Sequence, residues 1–246
     1  MEATAADHRF AEEYRLAREI PRDGLTAWRA AVAAEVALSR GAVVVDVGAG
    51  TGAFASAFAD WFGVRVLAVE PAAAMRALIP RTADIEALDG RAEALPVPDH
   101  CADAAWLGSV VHHIDDLRAA ARELRRVLKP GAPVLIRNSF PGRCARDLRV
   151  RFFPGAERIV DGYPSVEETC AAFASAGFSR VALHAVPQES APDLATFADR
   201  VRRDTDAKLR ALDDEEFEHG MRRLRRAAAQ EPDRPAVSWM DLLVLS

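Results

Sequence analysis

A glycine-rich turn followed by a carboxylate is the first feature of this sequence that could do chemistry. The turn lies in the run VVVDVGAGTGA and contains Gly48, Gly50 and Gly52. Glycines let the backbone turn tightly and approach a ligand without side-chain obstruction. About twenty residues later comes Glu70, whose carboxylate could accept hydrogen bonds from both hydroxyls of a ribose. The turn and the carboxylate together predict a site for a ligand that contains a nucleoside.

The spacing of the glycines separates two classes of nucleoside-binding protein. The dinucleotide fingerprint is G-x-G-x-x-G, whereas the third glycine here comes one residue earlier. Asp46 also departs from a dinucleotide strand, which usually runs apolar into its turn. Its carboxylate could engage the ammonium group of an amino-acid-bearing ligand, or it could tie down loop amides. These features argue against a nicotinamide-dependent dehydrogenase.

A second polar group follows a later predicted strand, in the run LGSVVHHI. It contains Ser109, His112 and His113, and ligands in open α/β sheets bind beyond the carboxyl ends of the strands. A histidine has the pKa that suits a general base near neutral pH. We expect the adjacent Asp115 and Asp116 to cap the next helix, so no metal site is predicted.

The elements that must position these residues alternate along the chain. Short β-branched apolar runs predict buried strands, and segments with apolar residues at helical spacing lie between them. The alternation predicts an α/β fold: a Rossmann-like, doubly wound, mostly parallel seven-stranded sheet with helices on both faces. The predicted strands are 42–47, 64–69, 85–88, 102–107, 134–136, 178–186 and 237–245. Residues 193–229 are heavily charged and are predicted to be helical.

The composition limits the classes of partner. The chain has 246 residues, half of them hydrophobic, which is enough for one compact domain. A net charge of −5 argues against general nucleic-acid binding. No run of eighteen apolar residues and no secretory signal is present, so we expect a cytoplasmic protein without a membrane partner. Its oligomeric state is not predicted.

Four motifs in order carry a family resemblance over about residues 40–138. They are DVGAGTG, VLAVEP, GRAEALPVPDHCADAAWLGSVVHHIDD and LRRVLKPGAPVLI. The chain resembles the class I S-adenosylmethionine-dependent methyltransferases, in particular the small-molecule branch typified by ubiquinone and menaquinone methyltransferases. The resemblance implies S-adenosylmethionine as cofactor, S-adenosylhomocysteine as product and a small-molecule acceptor. Whether oxygen, nitrogen or carbon is methylated stays open.

The resemblance also implies which residues hold the cofactor. The glycine turn would line its methionine and ribose parts, Glu70 would bind the ribose hydroxyls, and the segment GRAEALP would approach the adenine. Arg91 replaces an aspartate of the family motif, which leaves the adenine contact to the Ala92 amide and Glu93. The implied cofactor residues in the core are Asp46, Gly48, Ala49, Gly50, Gly52, Glu70, Pro71, Met75, Ala92, Glu93, Leu107 and Gly108.

At the catalytic end, the resemblance implies that Ser109 and His112 are the polar groups nearest the transferable methyl. His112 would serve as base or as a substrate contact. His113 would contact the substrate, or pack as a structural residue.

The N-terminal helix resembles a Y-x-x-x-R-x-x-P segment of trans-aconitate-type methyltransferases. Carried over, Tyr14 and Arg18 would close over the cofactor. An exposed amphipathic helix is the alternative.

Residues 139–164 interrupt the alternation and are interpreted as a lid inserted after the fifth strand. We expect a single domain with N-terminal cap helices (1–40), a cofactor-binding core (41–138), this lid and a C-terminal part of the sheet (165–246). Phe152 and Phe153 could instead form the hydrophobic core of the lid. The candidate substrate-binding residues are His113, Asn138, Arg143, Phe152, Phe153 and Tyr163.

Two further functions stay open. An enzyme of the same fold could use the cofactor without methylation, for example by cyclising its aminobutyryl arm. A non-catalytic module would bind the cofactor without turnover.

Overall fold

A twisted sheet is the centre of the computed structural model, which describes residues 3–18 and 22–246. The strands are β1 (Val43–Val47), β2 (Arg65–Val69), β3 (Ile85–Leu88), β4 (Ala104–Gly108), β5 (Val134–Asn138), β6 (Arg180–Ala191) and β7 (Ala236–Leu245). Within the described residues these seven strands form one sheet in the order β3-β2-β1-β4-β5-β7-β6. The first five strands are parallel, and β7 runs antiparallel to both of its neighbours. The predicted fold class is confirmed.

Helices connect the strands and cover both faces. They are α1 (Ala5–Arg18), α2 (Thr26–Glu35), α3 (Ala53–Phe62), α4 (Ala73–Arg76), α5 (Leu117–Val127), α6 (Leu148–Phe152), α7 (Gly155–Asp161), α8 (Val166–Ala174), α9 (Leu194–Arg200), α10 (Ala207–Arg210) and α11 (Asp214–Gln230). Among them, none combines the length and the apolar character that a membrane crossing requires.

Side chains of the strands alternate between two hydrophobic layers. Val45 and Val47 of β1 belong to the layer that packs beneath α5 and α8. Val44 points to the opposite layer, where α2 and α3 contribute the fully buried Trp28 and Phe58. Because both faces are covered, the central strands read as continuous apolar runs rather than as alternating ones.

A third hydrophobic cluster lies beside the sheet and is built mainly from helices. Its buried members come from residues 144–160 and from residues 191–236, and include Phe153 and Leu224. The segment predicted as a lid therefore packs against helices that come later in the chain. We call this cluster, formed by α6, α7, α9, α10 and α11, the helical layer.

The structure corrects two predicted boundaries. The strand expected at 178–186 extends to Ala191 and contains Pro187. A proline is tolerated there because β6 lies at the edge of the sheet, where an amide hydrogen is not needed. Residues 193–229, expected to be helical throughout, form three separate helices with breaks between them.

Candidate functional site

A cavity of about 1170 Å³ opens at the carboxyl ends of the parallel strands. Its wall includes the turn after β1, the residue after β2 and the loops that follow β3, β4 and β5. The chain leaves β1 for one face of the sheet and β4 for the other, so the cavity lies at a topological switch point. The residues singled out from the sequence come together here to a large extent.

The glycine turn is held by the neighbouring strand. The amides of Gly48 and Ala49 both donate to the carbonyl of Val69, at 2.9 and 3.1 Å. Gly48, Gly50 and Gly52 all have a positive φ, which other residues adopt at a cost. A Cβ on Gly48 would lie 2.4 Å from Val110 Cγ2, whereas the same atom on Gly50 would have nothing within 4 Å. The turn thus needs glycine for its conformation, and at Gly50 it presents open space.

Glu70 connects the turn to the end of β2. Its Oε2 accepts from the Gly50 amide at 2.8 Å, and its Oε1 accepts from the Ala72 amide at 2.9 Å. Burial raises the pKa of this carboxyl above its ordinary value, while the two amides and Arg76 act in the opposite direction. Arg76 also donates to the backbone carbonyl of Glu70 at 2.6 Å. The Glu70 carboxylate, which we expected to face a ribose, is therefore held in place by one backbone amide on each of its oxygens.

Asp46 lies beneath the turn and is only 2% exposed. Its Oδ2 has no hydrogen-bond partner among the described residues. Burial, with the nearby charge of Glu70, raises the pKa of Asp46 to about 7, against the influence of the Ala55 amide. An acceptor of this kind in a cavity wall suits a cationic ligand group.

The adenine-side prediction rests on the loop after β3, which lines the cavity through Gly90, Ala92 and Glu93. Glu93 Oε1 already accepts from the amides of Asp115 and Asp116, at 3.1 and 3.4 Å. The side chain thus ties this loop to the start of α5. Pro71 and Met75, expected to flank the adenine, also line the cavity.

Ser109 follows β4 in an unusual backbone conformation. Its φ is +59°, which is uncommon for a residue other than glycine. The conformation is held by Arg137 of β5, whose carbonyl accepts from the Ser109 amide and whose Nη1 donates to Ser109 Oγ, both at 2.7 Å. Arg137 Nη2 donates to Gln188 Oε1 at 2.6 Å, so the arginine spans from β4 to β6. The strained turn is fixed from the neighbouring strands.

His112 stacks on a residue of the predicted lid. The rings of His112 and Tyr163 are parallel within 6°, with centroids 4.0 Å apart. The ring of His113 is tilted against that of His112, with centroids 4.1 Å apart, and His113 is more exposed than His112. All three line the cavity. The stacking fixes the orientation of the His112 ring.

The structure corrects three of the expected substrate contacts. Phe152 and Phe153 are buried in the helical layer, where Phe153 stacks on Phe217, and neither lines the cavity. Arg143 makes a two-point ion pair with Asp241, at 2.8 Å for both contacts, and also lies outside the cavity wall. Phe152 and Phe153 thus belong to a hydrophobic core, which is the alternative that the sequence left open. Asn138, by contrast, is buried in the cavity wall.

Three further residues complete the comparison with the expectations. Leu107 is fully buried in the sheet core, so any contact with a ligand would have to come from its backbone. Tyr14 of α1 lines the cavity. The side chain of Arg18 lies outside the described residues.

Functional candidates that sequence reasoning missed lie on the β7 side of the cavity, the wall contributed by β7, α6, the end of α9 and α10. Asp147 and Lys208 form a buried ion pair at 2.6 Å, although 61 residues separate them in sequence. Arg149 pairs with Asp206 in the same wall. Arg137 offered a signal, because an arginine interrupts an otherwise apolar buried strand. The Asp147–Lys208 and Arg149–Asp206 pairs have no local sequence pattern that predicts them.

No group of three or more histidine, cysteine, aspartate or glutamate side chains suited to a metal ion occurs among the described residues. Asp116 caps α5, as expected, by accepting from two amides of its first turn. Asp115 does not cap it and instead forms an ion pair with Arg91 at 3.2 Å.

Comparison with known proteins finds a family match over part of the chain. Residues 45–136, which span β1 to β5, match the family model described as a methyltransferase domain. The matched residues make up less than half of the chain, and over them it is similar to a methyltransferase domain. The resemblance inferred from its motifs is therefore confirmed, and the domain holds the glycine turn, Glu70, Ser109 and His112.

Relatives share mainly this methyltransferase domain. The chain is 38% identical over 101 residues to an uncharacterized methyltransferase of Mycobacterium leprae. The aligned region covers 39% of the chain and 36% of the relative. It is 33% identical over 141 residues to a ubiquinone/menaquinone biosynthesis C-methyltransferase of Caulobacter vibrioides, covering 52% of the chain and 56% of the relative. The chain thus spans little more than half, or less, of these two relatives.

The fold likeness extends beyond the matched domain. A crystal structure of a protein from an antibiotic biosynthesis pathway of Anabaena variabilis superposes with a TM-score of 0.70 at 19% identity. The superposition covers 94% of this chain and 99% of that one. The shared architecture therefore includes the helical layer as well as the methyltransferase domain.

Proposed function

We propose that this protein is an S-adenosylmethionine-dependent methyltransferase that acts on a small molecule. The observation that carries the proposal is the position of Glu70 within a matched methyltransferase domain, where its carboxylate joins the glycine turn at the cavity wall. The cavity volume of about 1170 Å³ is large enough for a nucleoside cofactor and a metabolite together.

The residues present fit the cofactor. Asp46 offers a buried oxygen without a hydrogen-bond partner among the described residues, which suits the ammonium of the methionine part. The open space at Gly50 lets the backbone lie against a ligand. Glu70 would bind the ribose hydroxyls, and Pro71 and Met75 would flank the adenine. When bound, S-adenosylmethionine supplies a methyl group on a sulfonium centre.

The catalytic work assigned to the chain is positioning and proton removal. The Ser109 hydroxyl, fixed by Arg137, would orient the acceptor towards the methyl group. The ring of His112 is held by Tyr163. One of its ring nitrogens would take up the proton that a protonated acceptor releases. Tyr14 would help exclude water from the cavity.

Cofactor binding tests the proposal directly. Glu70→Gln keeps the size of the side chain but loses its charge and one acceptor. We expect it to weaken S-adenosylhomocysteine binding at least tenfold, about 1.4 kcal/mol, in a calorimetric titration. Glu218→Gln is the matched control, because it makes the same change at an exposed position of α11 that does not line the cavity. Equal affinities for the Glu70→Gln variant and the wild type would refute the assignment.

Product analysis separates methylation from the other uses of the cofactor. With an acceptor library, we expect S-adenosylhomocysteine and a methylated product to form in equal amounts. Methylthioadenosine released from the cofactor alone would indicate cyclisation of its aminobutyryl arm instead. Binding without any turnover would indicate a non-catalytic module.

A further inference from the structure

We infer that the β7 side of the cavity binds an anionic group of the acceptor, either a carboxylate or a phosphate. By the β7 side we mean the wall contributed by β7, α6, the end of α9 and α10. The inference rests on the proposed function, in that the glycine-turn side is taken to hold the cofactor. Three observations on the β7 side carry it.

The first observation is that the carboxylate of Asp147 is saturated. It is 2% exposed, and its Oδ1 accepts from the Arg149 amide at 2.9 Å and from Ser238 Oγ at 3.3 Å. Its Oδ2 accepts from Lys208 Nζ at 2.6 Å and from Ser139 Oγ at 3.0 Å. Four donors use the acceptor capacity of a carboxylate. Asp147 therefore has nothing left to offer a cationic ligand.

The second observation is that both buried acids of this wall are already neutralised. Burial acts to raise the pKa of Asp147, yet the charges of Lys208 and Arg149 hold it below its ordinary value. Asp206 is 3% exposed, pairs with the Arg149 guanidinium and accepts the Lys208 amide at 2.9 Å. Two acids thus face two bases, and their charges cancel.

The third observation is a surplus of positive charge and of donors. Arg200, which is half-buried, and Arg210 also line the cavity. Within the described residues, neither forms an ion pair or a hydrogen bond through its side chain. Lys208 uses one of its three ammonium hydrogens on Asp147. An anion entering this side would meet unsatisfied donors, whereas an ammonium group would meet like charge.

The cavity is therefore electrostatically polarised. Asp46 and Glu70 lie on the glycine-turn side, which suits the cationic and hydroxyl groups of the cofactor, and the surplus arginines lie on the β7 side. Phe197 and Met240 add apolar surface beside them. An acceptor with an aromatic ring and an anionic substituent matches this wall.

Four ring compounds that differ in charge test the inference. The full-length protein, saturated with S-adenosylhomocysteine, is titrated in a calorimeter with benzoate, phenyl phosphate, benzamide and benzylamine. We expect at least one anion to bind fivefold or more tightly than neutral benzamide, and benzylamine to bind most weakly. Tighter binding of benzoate would indicate a carboxylate site, and tighter binding of phenyl phosphate would indicate a phosphate site.

Variants place the effect on the β7 side. The double variant Arg200→Gln, Arg210→Gln should lose at least fivefold in affinity for the preferred anion and keep its affinity for benzamide. Arg222→Gln is the matched control, because Arg222 is exposed on α11 and does not line the cavity. None of these changes should alter S-adenosylhomocysteine binding.

The outcomes separate this inference from the proposed function. If neither anion binds more tightly than benzamide, or if the double variant keeps the wild-type affinity for anions, the anionic site is refuted and the methyltransferase proposal stands. If S-adenosylhomocysteine fails to bind, the proposed function fails instead. The four titrations are repeated on cofactor-free protein, so the anionic site is decided in either case.

Discussion

The buried carboxyl of Asp46 makes the stability of the cofactor-free protein depend on pH. The side chain is 2% exposed, and burial together with the charge of Glu70 raises its pKa from 3.8 to about 7. Between these two pH values the folded chain holds a proton that the unfolded chain has released. The contribution of Asp46 to stability is therefore most favourable at low pH, falls as pH rises through this range and stays low above about pH 7.

The size of the effect follows from the displacement of the pKa. A change from 3.8 to about 7 corresponds to about 4 kcal/mol of folding free energy at alkaline pH. Asp46→Asn cannot ionise, so it should lack this pH dependence. Its free energy of unfolding, relative to that of the wild type, should rise by about 3 kcal/mol between about pH 5 and about pH 8. Any constant cost of the buried amide group cancels in this comparison.

Urea unfolding of the cofactor-free protein at the two pH values measures the difference. Asp84→Asn, at an exposed position just before β3, is the control and should follow the wild type at both values. The same Asp46→Asn variant should bind S-adenosylmethionine less tightly, because the ammonium group loses a carboxylate partner. A free-energy difference that does not change with pH would refute the reasoning from burial.

Three other variants test separate parts of the site. His112→Ala should lower kcat at least tenfold while cofactor affinity stays within about twofold; wild-type turnover would exclude its role as base. Gly48→Ala should reduce affinity for S-adenosylhomocysteine at least tenfold in a calorimetric titration, because its Cβ would lie 2.4 Å from Val110 Cγ2 at a φ of +68°. Unchanged affinity would contradict this prediction. Asp116→Ala should cost about 0.5–2 kcal/mol of unfolding free energy in urea, because two amides of α5 lose their cap; a smaller loss would mean that water replaces the cap.

Local patterns in the sequence determined the sheet and the cofactor side of the cavity. Apolar runs between helical segments predicted every strand of the sheet, because burial on both faces leaves a signature within a few residues. The turn around Gly50 and the carboxylate of Glu70 were predictable for a related reason. Parallel neighbouring strands bring their carboxyl ends to one edge, so a short spacing along the chain becomes a short distance in space.

Tertiary structure alone decided the β7 side of the cavity and the fate of the predicted lid. Asp147 and Lys208 meet across 61 residues, and Tyr163 reaches His112 from another segment. Phe153 was assigned to the lid by its position in the chain, but packing against α11 removes it from the cavity. Pairings of this kind depend on how separate helices dock, which no periodicity within one segment records. The chain's own pattern thus specified where a cofactor fits, and the docking of its helices specified the charges that an acceptor would meet.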